Sequence, residues 1–183
     1  MKQLSLMVDL GRCIGCKTCI VACRNYQELV DYVAAKPNEI PYYLRVEQEC
    51  EGKYPEISMT SWVVPCHHCK NPACIVVCPV EGAITKDPET GIVLIDKEKC
   101  NGCKACVVAC PYDVIQFNVK DNYAHKCDLC FDRIRAGWIP VCAEVCLTEA
   151  IHFGERELLE QQAVDEGREI DKKMSEESIL YVR

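Results

Sequence analysis

The sequence predicts an α+β fold of two small interlocked modules, the second inserted into the first, with short β-hairpins and helices. Three observations predict it. Sixteen of the 17 cysteines in the 183 residues fall into four groups of four. An ungapped repeat follows three of these groups: CPVEGAIT at 78–85, CPYDVIQF at 110–117 and CLTEAIHF at 146–153. Groups two and three together occupy only 66–118, compact enough to pair with each other, which leaves group one to pair with group four across the chain.

The cysteine groups come first. Group one is Cys13, Cys16, Cys19 and Cys23 in CIGCKTCIVAC; group two is Cys66, Cys69, Cys74 and Cys78 in CHHCKNPACIVVCP. Group three is Cys100, Cys103, Cys106 and Cys110 in CNGCKACVVACP. In group four, Cys127 and Cys130 are separated from Cys142 and Cys146 by FDRIRAGWIPV. Three sulfurs with two residues between each can curl round three iron corners of one cube. The fourth lies a helical turn beyond the third, points away, and ligates the other cluster, as in two-cluster ferredoxins. Structural zinc is the competing reading of any lone C-x2-C, but zinc sites need two such pairs, not a third and a fourth cysteine at this spacing.

Disulfides fit poorly. Pairing 17 thiols leaves one over, and Met1 to Asp9 has neither the apolar stretch nor the cleavage site of a secretory signal. A reducing or anoxic compartment is expected. No apolar run approaches the length of a membrane span, so no direct span is expected. The formal charge is −7; each thiolate-ligated cluster adds two negative charges, so four bring the loaded chain to roughly −15. Such a charge excludes nucleic acid as an expected partner.

The elements follow in chain order. After Cys23, RNYQELVDYVAAK reads as a helix ending before Pro37. Residues 42–49 and 57–64 alternate as a β-hairpin insert that packs over a cluster. Each repeat reads as a short helical turn and then a strand. Residues 83–86 and 92–96 flank the turn Asp87-Pro88-Glu89-Thr90-Gly91; 114–118 and 123–126 flank Lys120-Asp121-Asn122. Module I therefore comprises 1–65 and 119–155, and module II 66–118. Residues 156–183 form an acidic tail in which Leu158, Leu159, Ala163 and Val164 suit an amphipathic helix.

In their order, CIGCKTCIVAC, CHHCKNPACIVVCP, CNGCKACVVACPYD and HKCDLCFDRIRAGWIPVCAEVC resemble the iron–sulfur subunit of the dimethyl sulfoxide reductase and polysulfide reductase family of molybdopterin oxidoreductases. The resemblance covers roughly residues 4–155. It implies a bacterial-ferredoxin-like fold, four [4Fe–4S] clusters and a non-catalytic, electron-transferring subunit. The cluster of Cys13, Cys16, Cys19 and Cys146 would face a molybdenum- or tungsten-pterin catalytic subunit. Next would come Cys23, Cys127, Cys130 and Cys142, and then Cys66, Cys69, Cys74 and Cys110. The last, Cys78, Cys100, Cys103 and Cys106, would face a membrane anchor or a soluble electron carrier. Some relatives have tryptophan where this chain has Cys103 and hold a [3Fe–4S] centre; Cys103 implies four cubanes. Arg24 and Leu147 stand where ferredoxins have proline. The implied location is cytoplasmic, or exported with a partner that carries a twin-arginine signal.

Other residues have plainer expected roles. Cys50 is expected to be a buried free thiol. His67 and His68 are expected to tune a cluster or face solvent rather than ligate, and His125 and His152 lack metal-ligand spacing. Lys17, Lys104 and Lys126 flank ligands and would raise a nearby cluster's potential, or else are solvated. Trp62 and Trp138 suit an interface or ordinary packing. Two further functions compete: a polyferredoxin subunit of a hydrogenase, carbon monoxide dehydrogenase or tungsten aldehyde oxidoreductase, and a zinc-stapled interaction module. No nucleotide loop or nucleophile constellation supports catalysis by this chain.

Overall fold

The computed structural model describes residues 2–29 and 41–183. Strand β1 (Leu4–Asp9) leads through the first cysteine loop into helix α1 (Thr18–Tyr26). A long antiparallel hairpin follows, β2 (Arg45–Lys53) with β3 (Glu56–Val64). Helix α2 (Ala73–Val76) precedes hairpin β4 (Ile84–Lys86) and β5 (Val93–Ile95). Helix α3 (Ala105–Ala109) precedes hairpin β6 (Gln116–Asn118) and β7 (Tyr123–His125). The chain then forms α4 (Phe131–Arg135), α5 (Val141–Glu144), β8 (Ile151–Glu155), α6 (Arg156–Asp165) and β9 (Ile179–Val182).

The two ends of the chain share one sheet, ordered β8-β1-β9. Strand β1 pairs antiparallel with β8, from Leu4↔Glu155 to Val8↔Ile151, and parallel with β9. Side chains alternate across a strand, and here both faces are covered. Leu6, Val8, Ile179 and Tyr181 enter the main core, while Met7, Leu180 and Val182 pack against Leu159 and Ala163 of α6. Leu180 is wholly buried. Leu180→Ala removes contacts from this second face at a cost of about 2–5 kcal/mol. The loaded protein is therefore expected to melt roughly 5–15 °C lower; an unchanged melt would show that β9 contributes little to stability.

The small hairpins have local causes. The Asp87 carboxylate accepts the Thr90 N–H at 2.8 Å, and the Asp87 carbonyl accepts the N–H of Gly91 at 2.9 Å. Gly91 has φ +73, a conformation that glycine adopts without strain. The hairpins and α3 enclose a separate core of Ile84, Val93, Cys106, Ile115 and Ala124. Hairpin β6–β7 crosses the expected module boundary at 118/119, because β7 finds its pairing partner in β6.

Several expectations are corrected. Helix α1 ends at Tyr26 and Gln27 and Glu28 form a turn; residues 30–36 of the expected helix lie outside the described residues. The helical turns α2, α3 and α5 precede the last cysteine of their groups rather than follow it. The tail forms α6 but then a buried strand, and Leu158 and Val164 are exposed. Hairpin strand β2 starts at Arg45 and runs on to Lys53, turning at Tyr54-Pro55. This places Cys50 on its exposed side opposite Met59, not in a core. Among the described residues no helix is long and apolar enough to cross a membrane.

Candidate metal centres

Strand β1 delivers the first loop. The Asp9 carbonyl accepts the Cys13 N–H at 3.0 Å, and the Asp9 N–H donates to the Ala150 carbonyl at 2.8 Å. Pairing of β1 with β8 thus sets the Cys13 loop beside Cys146, just ahead of β8. Cys13, Cys16, Cys19 and Cys146 line one cavity, walled by Val46 and Val63 of the long hairpin. Gly15 in this loop has φ +65, and a Cβ there would lie 2.9 Å from the Gln48 and Ser61 side chains of the hairpin. A second cavity is lined by Cys66, Cys69, Cys74 and Cys110, with His67, His68 and Lys126.

Members of the other two expected sets lie near one another. Burial raises the Cys23 pKa first, and Cys142 and Cys130 raise it further. Burial likewise raises Cys127, with Cys23, Asp128, Cys66 and Cys142 adding. Cys106 is raised by burial and by Cys100 and Cys103, and it shares a core with Cys78 and Cys100. Four influences run between the expected sets: Cys19 acts on Cys23 and on Cys142, Cys66 on Cys127 and Cys106 on Cys74. Cys16 and Cys103 are the exposed members of their expected sets.

The donor set suits cationic iron more than free thiols. Burial pushes the Cys19 thiol up to about 12 and Cys69, Cys74 and Cys130 up to about 11. A lone thiolate is costly in such places, and bound metal is what removes the proton. Backbone N–H groups already aim at sulfur: Ala150 at Cys146 (3.2 Å), Leu129 at Cys127 (3.4 Å) and Ala124 at Cys100 (3.5 Å). Positive φ at Lys17, Lys104, Leu129 and Cys130 turns these loops inward. Among the described residues no three Cys, His, Asp or Glu side chains converge closely enough for a single metal ion. Tetrahedral zinc needs its thiolates within about 2.3 Å of one atom, whereas a cubane spreads them round a larger body.

The remaining residues separate clearly. His68 is fully buried and its Nδ1 accepts the Val93 N–H at 2.9 Å; burial holds its pKa well below the ordinary value. His67 stacks on Tyr112 with ring centres 3.8 Å apart, and burial lowers it to about 4. His125 packs against Tyr43 and Tyr123, and His152 is half-buried. Lys17 and Lys104 are exposed, and the Lys104 ammonium lies 4.3 Å from the Phe117 ring centre. Lys126 is buried. Trp62 packs against the core, while Trp138 is exposed beside Arg133. Asp128 was not singled out by sequence; its carboxylate accepts from Gln27 at 3.0 Å and from the Cys130 N–H at 2.9 Å. Its place inside the C-x2-C pair was the available signal.

The 4Fe–4S dicluster domain family matches residues 57–156, and a 4Fe–4S binding domain matches residues 10–26. The formate dehydrogenase-O iron–sulfur subunit of Escherichia coli K12 is 34% identical over 191 residues, 98% of this chain and 62% of the relative. The chain thus spans under two thirds of that relative's length. The B subunit of anaerobic dimethyl sulfoxide reductase from the same organism is 38% identical over 154 residues, 83% of this chain and 73% of its own length. The iron–sulfur subunit of nitrate-inducible formate dehydrogenase, also from that organism, is 34% identical over 181 residues, 86% of this chain and 56% of the relative.

Proposed function

This chain belongs to the 4Fe–4S dicluster family together with those iron–sulfur subunits, and on that premise we propose that it is the non-catalytic electron-transfer subunit of a molybdenum- or tungsten-pterin oxidoreductase. Its proposed cofactors are four [4Fe–4S] clusters held by the sixteen cysteines in the sets given above. Its proposed architecture is two ferredoxin-like modules, 66–118 set within 1–65 and 119–155. One end would dock on the catalytic subunit and the other on a membrane anchor or soluble carrier, inside the cell or exported with a signalled partner.

The observation that carries this reading is the gathering of Cys13, Cys16, Cys19 and Cys146 round one cavity and of Cys66, Cys69, Cys74 and Cys110 round another. The four proposed sets would form a row, with the exposed Cys16 and Cys103 in its end sets. When bound, the clusters supply one-electron redox capacity at each station. The chain's own residues do the rest. The cysteines hold the iron, backbone N–H groups of the loops oppose sulfur charge, and Val46 and Val63 keep water from the first cavity. Exposed apolar side chains flank both ends, Ile14 and Leu147 near Cys16 and Cys146, and Val76 and Val108 near Cys78 and Cys106. Such residues suit contact with a partner protein. The names of the relatives favour this reading over a hydrogenase or carbon monoxide dehydrogenase polyferredoxin. Protein purified without oxygen is expected to contain about sixteen irons per chain, four clusters of four, with a broad visible absorption that bleaches on reduction. Stoichiometric zinc with little acid-labile sulfide would overturn the reading.

A further inference from the structure

Lys126 is 5% exposed, and its Nζ donates to the Cys127 carbonyl at 3.0 Å and to the Val93 carbonyl. Among the described residues no carboxylate lies within ion-pair distance of that Nζ. A buried ammonium without a counter-ion is costly. Two anionic groups lie within its reach. One is the Asp128 carboxylate, which shares a hollow with Lys126 and whose charge Lys126 favours. The other is the thiol cage of Cys66, Cys69, Cys74 and Cys110, whose cavity Lys126 lines and where it acts on Cys74. From a second side the Lys86 ammonium donates to the Cys69 carbonyl at 3.0 Å. Toward Cys23, Cys127 and Cys130 the sign reverses, for there the Asp128 side chain acts as a negative neighbour.

We propose that Lys126 is the counter-charge of this cavity and sets the reduction potential of the cluster held by Cys66, Cys69, Cys74 and Cys110 above that of its neighbour behind Cys127. The proposal rests on the reading that this cavity holds a cluster. Reduction adds one electron and neither makes nor breaks a bond, so the assembly gains one negative charge. A fixed positive charge against its wall stabilises that reduced form more than the oxidised one. Lys17 and Lys104 lie in solvent, where screening takes most of such an effect away. Burial, not proximity in sequence, therefore distinguishes Lys126 from the other two lysines.

The test is EPR-monitored potentiometric titration of the anaerobically purified protein, with iron and sulfide measured on the same samples. Lys126→Met is expected to keep four clusters and to lower one midpoint. At the wild-type midpoint its reduced-to-oxidised ratio should fall about tenfold, the scale of one charge at an effective dielectric of about 20. Lys126→Arg, which keeps the charge, should restore most of that ratio. The shifted signal should be the one that Cys74→Ser alters. Lys86→Met should move the same signal in the same direction by less, and it decides the matter where Lys126→Met does not assemble. Unmoved midpoints in fully loaded Lys126→Met, equal shifts in the Met and Arg variants, or no shift in Lys86→Met when Lys126→Met fails to assemble would overturn the proposal. A wild-type protein with no cluster answering to Cys74 would instead overturn the functional reading beneath it.

Discussion

Cys146→Ser is expected to remove or alter the same cluster as Cys16→Ser, although the two residues lie near opposite ends of the sequence. Both thiols line one cavity with Cys13 and Cys19, and β1 and β8 pair beside it. Serine oxygen is a harder and poorer ligand for this iron than thiolate, so either variant should lose one corner of the same cube. That station would stand at an end of the proposed row, and electron flow through the assembled complex should stop in both variants. Cys110→Ser should instead alter the cluster of Cys66, Cys69 and Cys74. Anaerobic EPR with potentiometry on each variant reads the outcome. A Cys146→Ser signal matching that of Cys103→Ser would place groups three and four in one unit and sink the proposed interleaving.

The second large effect is expected on removal of iron. Structural metal binding contributes on the order of 10 kcal/mol in small metal-stapled domains, comparable with a whole domain's stability of about 5–15 kcal/mol. The hairpins β4–β5 and β6–β7 have three-residue strands, and hairpins of that size do not persist alone in water. Without metal, Cys23, Cys127 and Cys142 would remain as buried thiols crowded on one another. The iron-free chain is therefore expected to lose most of its circular dichroism signal and to melt without a cooperative transition. The sheet β8-β1-β9 with α6, which has its own apolar faces, is the part expected to retain residual collapse. A native-like spectrum with a sharp melt in the iron-free chain would contradict this account.

Features whose causes lie within a few residues were legible in the sequence. The cysteine spacing marked the candidate ligand loops, because a C-x2-C-x2-C turn can curl round an anionic body whatever surrounds it. Asp87 to Gly91 announced its turn because the Asp87 side chain and the Gly91 backbone close it locally. The alternation of 57–64 marked a strand, though the start of β2 depended on which residues β3 offered as partners. Cys50 carries no local sign of exposure; it is exposed because that pairing register sets it on the outer face of a projecting hairpin. The tail read as acidic and helical to its end because Ile179–Val182 is too short to signal a strand without knowledge that β1 has a free edge. Lys17, Lys104 and Lys126 look alike beside their cysteines, and only the packing of Val93 and Cys127 against the third takes its charge out of water. Which distant groups share a low-dielectric space was left to the folded packing, for burial and charge act through space while spacing acts only along the chain.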